Sequence, residues 1–368
     1  MIRIDEIYDH TFLPYIDRYI ANTCMFYHDP PGRIDPESLL CSPDAELARN
    51  YIYFFDQEPI EINRMKPMLR SLISRTAPNL QGGVLVTSEK DSDNANALAR
   101  YLSAGNFYYF FHGWAALDWF RGFHRTFMIH PWEERQISRT FLCPNRIIGG
   151  ERLHRVAMFY HFEKYKLWHN HISAPRTCPV ENQDVVTIAS RLPTDKYPER
   201  MEIMVHCKDI PKTFPGETTQ EMHSYRLSLF DLACDSLLYL VTETVCFGRR
   251  LHLTEKTFKP IAMGMPFVLV APAGSLEYLR SYGFKTFGHL WDESYDQEQD
   301  DHKRLHMIAT LLKQLDDLTR TEKQQLFESA IPVITHNWEH FYHGNFERIL
   351  WQELMQMLED IDDYLGNR

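Results

Sequence analysis

The sequence predicts an α/β protein of two lobes, finished by C-terminal helices. Three observations carry this. Strand-length apolar runs alternate with helical segments, the alternation occurs twice, and only helical patterns follow residue 282. At roughly 100–200 residues per domain, 368 residues suffice for two or three. A hydrophobic fraction of 44% and a charged fraction of 24% are those of a folded chain, which excludes wholesale disorder.

The first lobe is expected over residues 1–135. Asn50–Phe55 is a short aromatic run that reads as a strand and ends in Asp56-Gln57-Glu58-Pro59. Gly83–Thr87 reads as a buried strand, and Asn94–Leu102 as a helix. Phe107–Phe111 reads as a further aromatic strand, followed by His112-Gly113 and a helix from Trp114. The second lobe is expected over residues 136–345. Thr140–Cys143, Asp184–Ala189, Ser236–Thr242 and Phe267–Val270 read as strands. Arg152–Leu167, Glu255–Met263 and Ser275–Tyr282 read as helices. His302–Leu318 places six apolar residues on one face. Phe346–Leu365 does the same, so residues 346–368 are expected to pack back across the lobes. Ligands of such sheets bind outside the carboxyl ends of the strands.

The net charge of −11 disfavours a nucleic-acid coat protein. The charge is uneven. Residues 136–212 hold 12 Lys/Arg and 8 Asp/Glu, a local +4, whereas residues 292–301 hold six acids and no base. That middle stretch suggests a small anionic ligand. Seven scattered cysteines without a CxxC pair suggest a reducing cytoplasm and no structural zinc. The beginning Met1-Ile2-Arg3 shows no signal-peptide pattern, and Pro and Gly interrupt the apolar stretch Pro260–Leu276, so no membrane span is expected.

The most informative segment is Leu237–Val270. A strand ends at Glu243, a loop carries Arg249 and Arg250, and Thr254-Glu255-Lys256 opens a helix. Thr254 is suited to cap that helix, whose free first-turn amides attract phosphate. Lys256 adds positive charge, and Glu255 can accept from ribose hydroxyls. A capped helix packed between two strands is the plainer interpretation. The order Glu243, Thr254, Glu255, Lys256, Gly264, Pro266 resembles the donor motif of the α-1,3-fucosyltransferase family, with a longer loop and Thr244 where the family has Asn. The chain also resembles uncharacterised bacteriophage proteins carrying the series TEKTFKP…GFKTF…DESYD.

The resemblance implies a GT-B fold, two Rossmann-like lobes with a cleft between them. It implies a nucleotide-diphosphate sugar (UDP- or GDP-linked) as donor substrate, no permanently bound cofactor and no metal. It places the donor on the second lobe, with Arg155 the best match for the diphosphate-binding arginine and Asn145 the next. Ser190-Arg191…Arg200 is a rival. The acceptor side falls to the first lobe, where Asp56, Glu58 and His112 are candidate bases and Glu89 a further one; each also reads as a turn or cap residue. Lys285, Asp292 and Glu293 can face the sugar or simply belong to a solvated loop. The acceptor would be a hydroxymethylated or hydroxylated DNA base, met in a host cytoplasm, or a glycan. A non-catalytic nucleotide- or sugar-binding module is the alternative. His169-Asn170-His171 lacks the setting of an HNH nuclease, and Asp91-Ser92-Asp93 reads as a helix cap.

Overall fold

The computed structural model describes residues 11–12, 14–15, 23–28, 39–41, 48–63, 65–66, 69, 81–122, 131–210 and 226–366. The expected beginning of the chain and Lys212 lie outside these. The protein is a mixed α/β structure with two sheets. Contacts divide it into two units. The first comprises Met1–Asp118, Arg249–His252 and Glu347–Arg368; the second comprises Trp119–Gly248 and Leu253–Phe346. The division near residue 118 precedes the expected 135, and the terminal helix belongs with the first unit.

The first unit contains β1 (Thr23–His28), β2 (Leu39–Cys41), β3 (Asn50–Phe55), β4 (Gly82–Thr87), α1 (Asp93–Leu102), β5 (Gly105–Tyr108) and α2 (Phe111–Phe120). The sheet order is β2-β1-β3-β4-β5, with β2 antiparallel to β1 and the other pairs parallel. Phe55 is level with Thr87, and Thr87 with Tyr108. The residues that follow these strand ends are therefore neighbours. Strands β3 and β4 are buried almost throughout, as parallel strands covered on both faces must be. Ser92 caps α1, its hydroxyl accepting from Ala95 N at 3.1 Å.

The expected strand Phe107–Phe111 is corrected here. β5 stops at Tyr108 and α2 already begins at Phe111, so His112 lies in a helix. Aromatic composition favours a strand, but β5 is an edge strand, and the Phe110 amide donates to Glu353 Oε1 instead (2.7 Å).

The second unit contains β6 (Arg139–Cys143), α3 (Leu153–Lys164), β7 (His171–Ile172), α4 (Val185–Ala189), α5 (Arg200–His206), α6 (Phe230–Cys234), β8 (Ser236–Thr242), α7 (Glu255–Ala262), β9 (Phe267–Val270), α8 (Ser275–Ser281), α9 (Asp301–Asp316) and α10 (Arg320–Tyr342). Its sheet is fully parallel, in the order β7-β6-β8-β9. The expected strand Asp184–Ala189 is instead the helix α4. The Asp184 carboxylate accepts from the amides of Val186 and Thr187, and this cap prevails over the β-branched run that follows.

Two buried arginines hold the loops of this unit. Arg304 on α9 donates to the carbonyls of Ala271, Glu298 and Cys246, and to Asp301 at 2.6 Å. A charge so placed is tolerable because every side of the guanidinium meets an acceptor. Arg135 donates to the carbonyls of Met263 and Gly264 at the end of α7, both at 2.8 Å. Gly264 takes φ +63°, and a Cβ there would stand 2.7 Å from the Trp132 ring.

The last helix, α11 (Asn345–Gly366), covers the first unit's sheet. Trp351 meets Trp114 edge-on at 4.8 Å, and Tyr364 meets Phe107 at 5.5 Å. Among the described residues no helix is long and apolar enough to cross a membrane. Leu354 on α11 is fully buried. Leu354→Ala should cost about 2–5 kcal/mol of stability, read by urea unfolding; a loss under about 0.5 kcal/mol would contradict this packing.

Candidate functional site: a cationic pocket at the sheet's crossing point

In the second unit's sheet the chain runs from β6 outward to β7, then returns to lay β8 on the other side of β6. The gap beyond the carboxyl ends of β6 and β8 is therefore a topological switch point, where open α/β sheets bind ligands. A pocket lies there. Pro144, Ile147, Leu229, Tyr239, Val241 and Met263 give it apolar walls. Its cations are Arg146, Arg152, Arg155, Arg226, Lys256 and Lys259, against one carboxylate, Glu255.

Behind the lining residues, Glu243 is fully buried just past β8. Its Oε1 accepts from Thr254 N (3.0 Å) and Thr257 Oγ1 (2.6 Å). Its Oε2 accepts from Thr254 Oγ1 (2.5 Å) and Thr244 N (3.1 Å). Both carboxylate oxygens are thus spent on fixing the start of α7 to the end of β8. Glu243, matched above to the donor motif, thus supports the helix that bears the lining residues and does not itself line the pocket. Thr254 caps α7 as expected, accepting from Lys256 N at 3.4 Å.

Lys256 points back over the cap. Its Nζ donates to Glu255 Oε1 (2.8 Å), Thr244 Oγ1 (3.1 Å) and Thr254 Oγ1 (3.2 Å). Lys259 lies one turn further along α7. Burial lowers its pKa to about 8; Glu255 raises it and Lys256 lowers it further.

Asn145 is also structural. Its Oδ1 accepts from Thr242 Oγ1 (2.7 Å), and its Nδ2 donates to Ser173 O (3.1 Å) and Cys143 Sγ (3.3 Å). It braces the ends of β6 and β8 and does not line the pocket.

Arg155 lines the pocket but is 3% exposed. It donates to the carbonyls of Ile147 (2.6 Å), Thr242 (2.6 Å) and Glu243 (3.3 Å), while Nε has no partner. Burial, then Arg152, lower its pKa to about 9; Cys143, Glu243 and Glu255 oppose them. It remains charged at neutral pH, and offers the pocket its charge more than its fork. Beside it, His154 Nε2 donates to Glu243 O at 3.0 Å. Burial, then Arg155, hold that imidazole well below its usual pKa, so it is neutral.

Sequence reasoning missed Arg152, Lys259, Arg226 and Arg146. The first two had a signal, being three residues from Arg155 and Lys256 on the same helical faces. Arg226 had none. The rival Arg191 and Arg200 do not line the pocket: Arg191 pairs with Glu181 (2.5 Å), and Arg200 donates to the carbonyls of Ser190 and Leu192. Glu293 accepts from Thr286 Oγ1 and Phe287 N, both at 2.7 Å, and Asp292 from Ser294, so both order their own loop. Lys285 is held through its backbone by Asn337. The two histidines of the 169–171 triplet go to different carboxylates, Asp316 and Asp235.

In the first unit, register brings Asp56, Ser88 and Tyr109 together beyond β3, β4 and β5. Tyr109 OH donates to Asp56 Oδ2, and Ser88 Oγ to Asp56 O, each at 2.5 Å. Asp56 and His112 are buried, and Glu58 is half-buried. The His112 ring meets His252 edge-on at 4.9 Å. Glu89 is a buried framework residue, accepting from Ile60 N (2.8 Å), Ser92 Oγ (2.5 Å) and Arg250 (3.3 Å). Arg250 therefore serves the first unit and does not line the pocket. Among the described residues no three metal-ligating side chains converge.

Glu243→Gln should lower stability by about 2–4 kcal/mol, because an amide NH2 then faces donors. Chemical unfolding measures this, and an unchanged midpoint would refute the clamp. Compared with known proteins, the chain matches no protein-family model, no curated protein and no solved structure.

Proposed function

We propose that the second unit binds the diphosphate of a nucleotide sugar and that the protein is a glycosyltransferase of GT-B type. The observation that carries this reading is the set of six cations at the sheet's switch point, beside the capped start of α7. Lys256 and Arg152 would contact phosphate oxygens, and Arg155 would supply charge behind them. Glu255 would accept from the ribose hydroxyls, as acidic residues do at other nucleotide sites.

In the proposed reaction an acceptor hydroxyl oxygen bonds to the anomeric carbon. The bond from that carbon to the phosphate oxygen breaks, and the diphosphate leaves with the electron pair. The cations stabilise the charge it gains, and the hydroxyl proton passes to a base. Among the carboxylates proposed for that base, Glu58 is more exposed than Asp56, which is occupied by Tyr109. The acceptor would be a hydroxymethylated or hydroxylated DNA base or a glycan.

Incubation with UDP- and GDP-sugars tests the activity. Release of the nucleoside diphosphate supports it. Tight donor binding without release, with or without hydroxymethylated DNA or glycan acceptors, would favour the non-catalytic binding module. Lys256→Ala and Arg152→Ala should weaken donor binding by roughly ten- to a hundredfold with the melting temperature kept. Arg155→Ala should also destabilise the fold, since three carbonyls lose their donor; equal melting temperatures for all three would contradict this division of roles.

The pH dependence follows from Lys259. Its pKa is lowered to about 8 by burial, and a bound diphosphate would raise it. Below that value the lysine is already charged, so affinity is flat. Above it, binding takes up a proton and affinity falls as pH rises. Calorimetry in buffers of different ionisation enthalpy reads the uptake, and Lys259→Met should abolish it.

A further inference from the structure

We propose that Glu255 is the pocket's built-in counter-ion, which holds Lys256 until a ligand carrying at least two negative charges replaces it. The inference rests on the phosphate reading above and adds a selection by ligand charge.

Among the described residues Glu255 is the one carboxylate lining the pocket, against six cations. Its side chain is 4% exposed and that of Lys256 25%, with Oε1 2.8 Å from Nζ. It also acts electrostatically on Arg155 and Lys259. It is the first residue of α7, where the helix dipole favours negative charge. An independent sign that the pocket suits an anion is the Arg155 Nε, buried and, among the described residues, without a partner.

Cations crowded at low dielectric repel one another, and a carboxylate among them relieves that repulsion. The same carboxylate repels an arriving anion. Chloride or a monoanionic phosphate offers Lys256 no more than Glu255 already does. A diphosphate offers two charges, satisfies Lys256 and its neighbours together, and draws the ammonium off Glu255. The pocket thereby distinguishes ligands by charge and keeps its affinity low enough for product to leave.

The test measures binding of inorganic pyrophosphate, inorganic phosphate and a nucleoside diphosphate by calorimetry, in mildly acidic buffer where Lys259 is protonated. Wild type should bind pyrophosphate well and phosphate poorly. Glu255→Gln should bind pyrophosphate about tenfold more tightly and phosphate detectably, and Glu255→Asp should stay near wild type. Glu255→Ala serves as the second variant should the glutamine protein fail to fold. Unchanged pyrophosphate affinity in Glu255→Gln, with weakened nucleoside diphosphate binding, would overturn the counter-ion role in favour of ribose recognition. Silence of wild type and every variant toward all three ligands would overturn the phosphate reading itself.

Discussion

The second unit turns on one buried carboxylate. Glu243 receives four hydrogen bonds from three threonines, through two amides and two hydroxyls. Three of them, from Thr254 and Thr257, join the strand end to the beginning of the helix that bears Glu255, Lys256 and Lys259. An ion with no exposure is costly unless every lone pair is used, and here it is used. The result is a helix start whose position is set by geometry rather than by apolar packing. Asn145 and Arg155 extend the bracing to the neighbouring strand and its loop. Three residues that look like ligand contacts in a one-dimensional pattern thus form the mount on which the exposed cations sit.

This layering explains what the sequence revealed and what it concealed. Strands β3, β4, β6, β8 and β9 were legible because each is a short apolar run bounded by turn residues. The Thr254 cap was legible because a hydroxyl next to a charged first turn is a local signal. The partners of Glu243 lie as far off as Thr257, and nothing local separates an acid that clamps threonines from one that greets a sugar. Arg152 and Arg155 show the same limit. Both sit at the start of α3, and only burial distinguishes the one turned toward carbonyls from the half-buried one.

The two misread segments fail for related reasons. Asp184–Ala189 has the composition of a strand, but one side-chain oxygen bonded to two amides is enough to start a helix. Phe107–Phe111 has it too, but after Tyr109, whose amide still reaches Thr87 O, the Phe110 amide is claimed by Glu353. In both, a single polar side chain outweighed the intrinsic preference of four or five residues. Glu353, which claims the Phe110 amide, lies in the terminal helix, beyond the reach of any window around residue 110.

The first unit is assembled from three separate stretches of chain. Its sheet is made early, yet α11, whose Trp351, Glu353 and Tyr364 lie against it, is made only after the second unit. During synthesis the aromatic underside of that sheet must wait, uncovered, while the whole second unit emerges. A vectorial order of folding follows: the second unit, closed by Phe346, can settle first, although it begins later in the chain. Completion of the first unit then waits on the second, and the interval before it is when a chaperone would be needed.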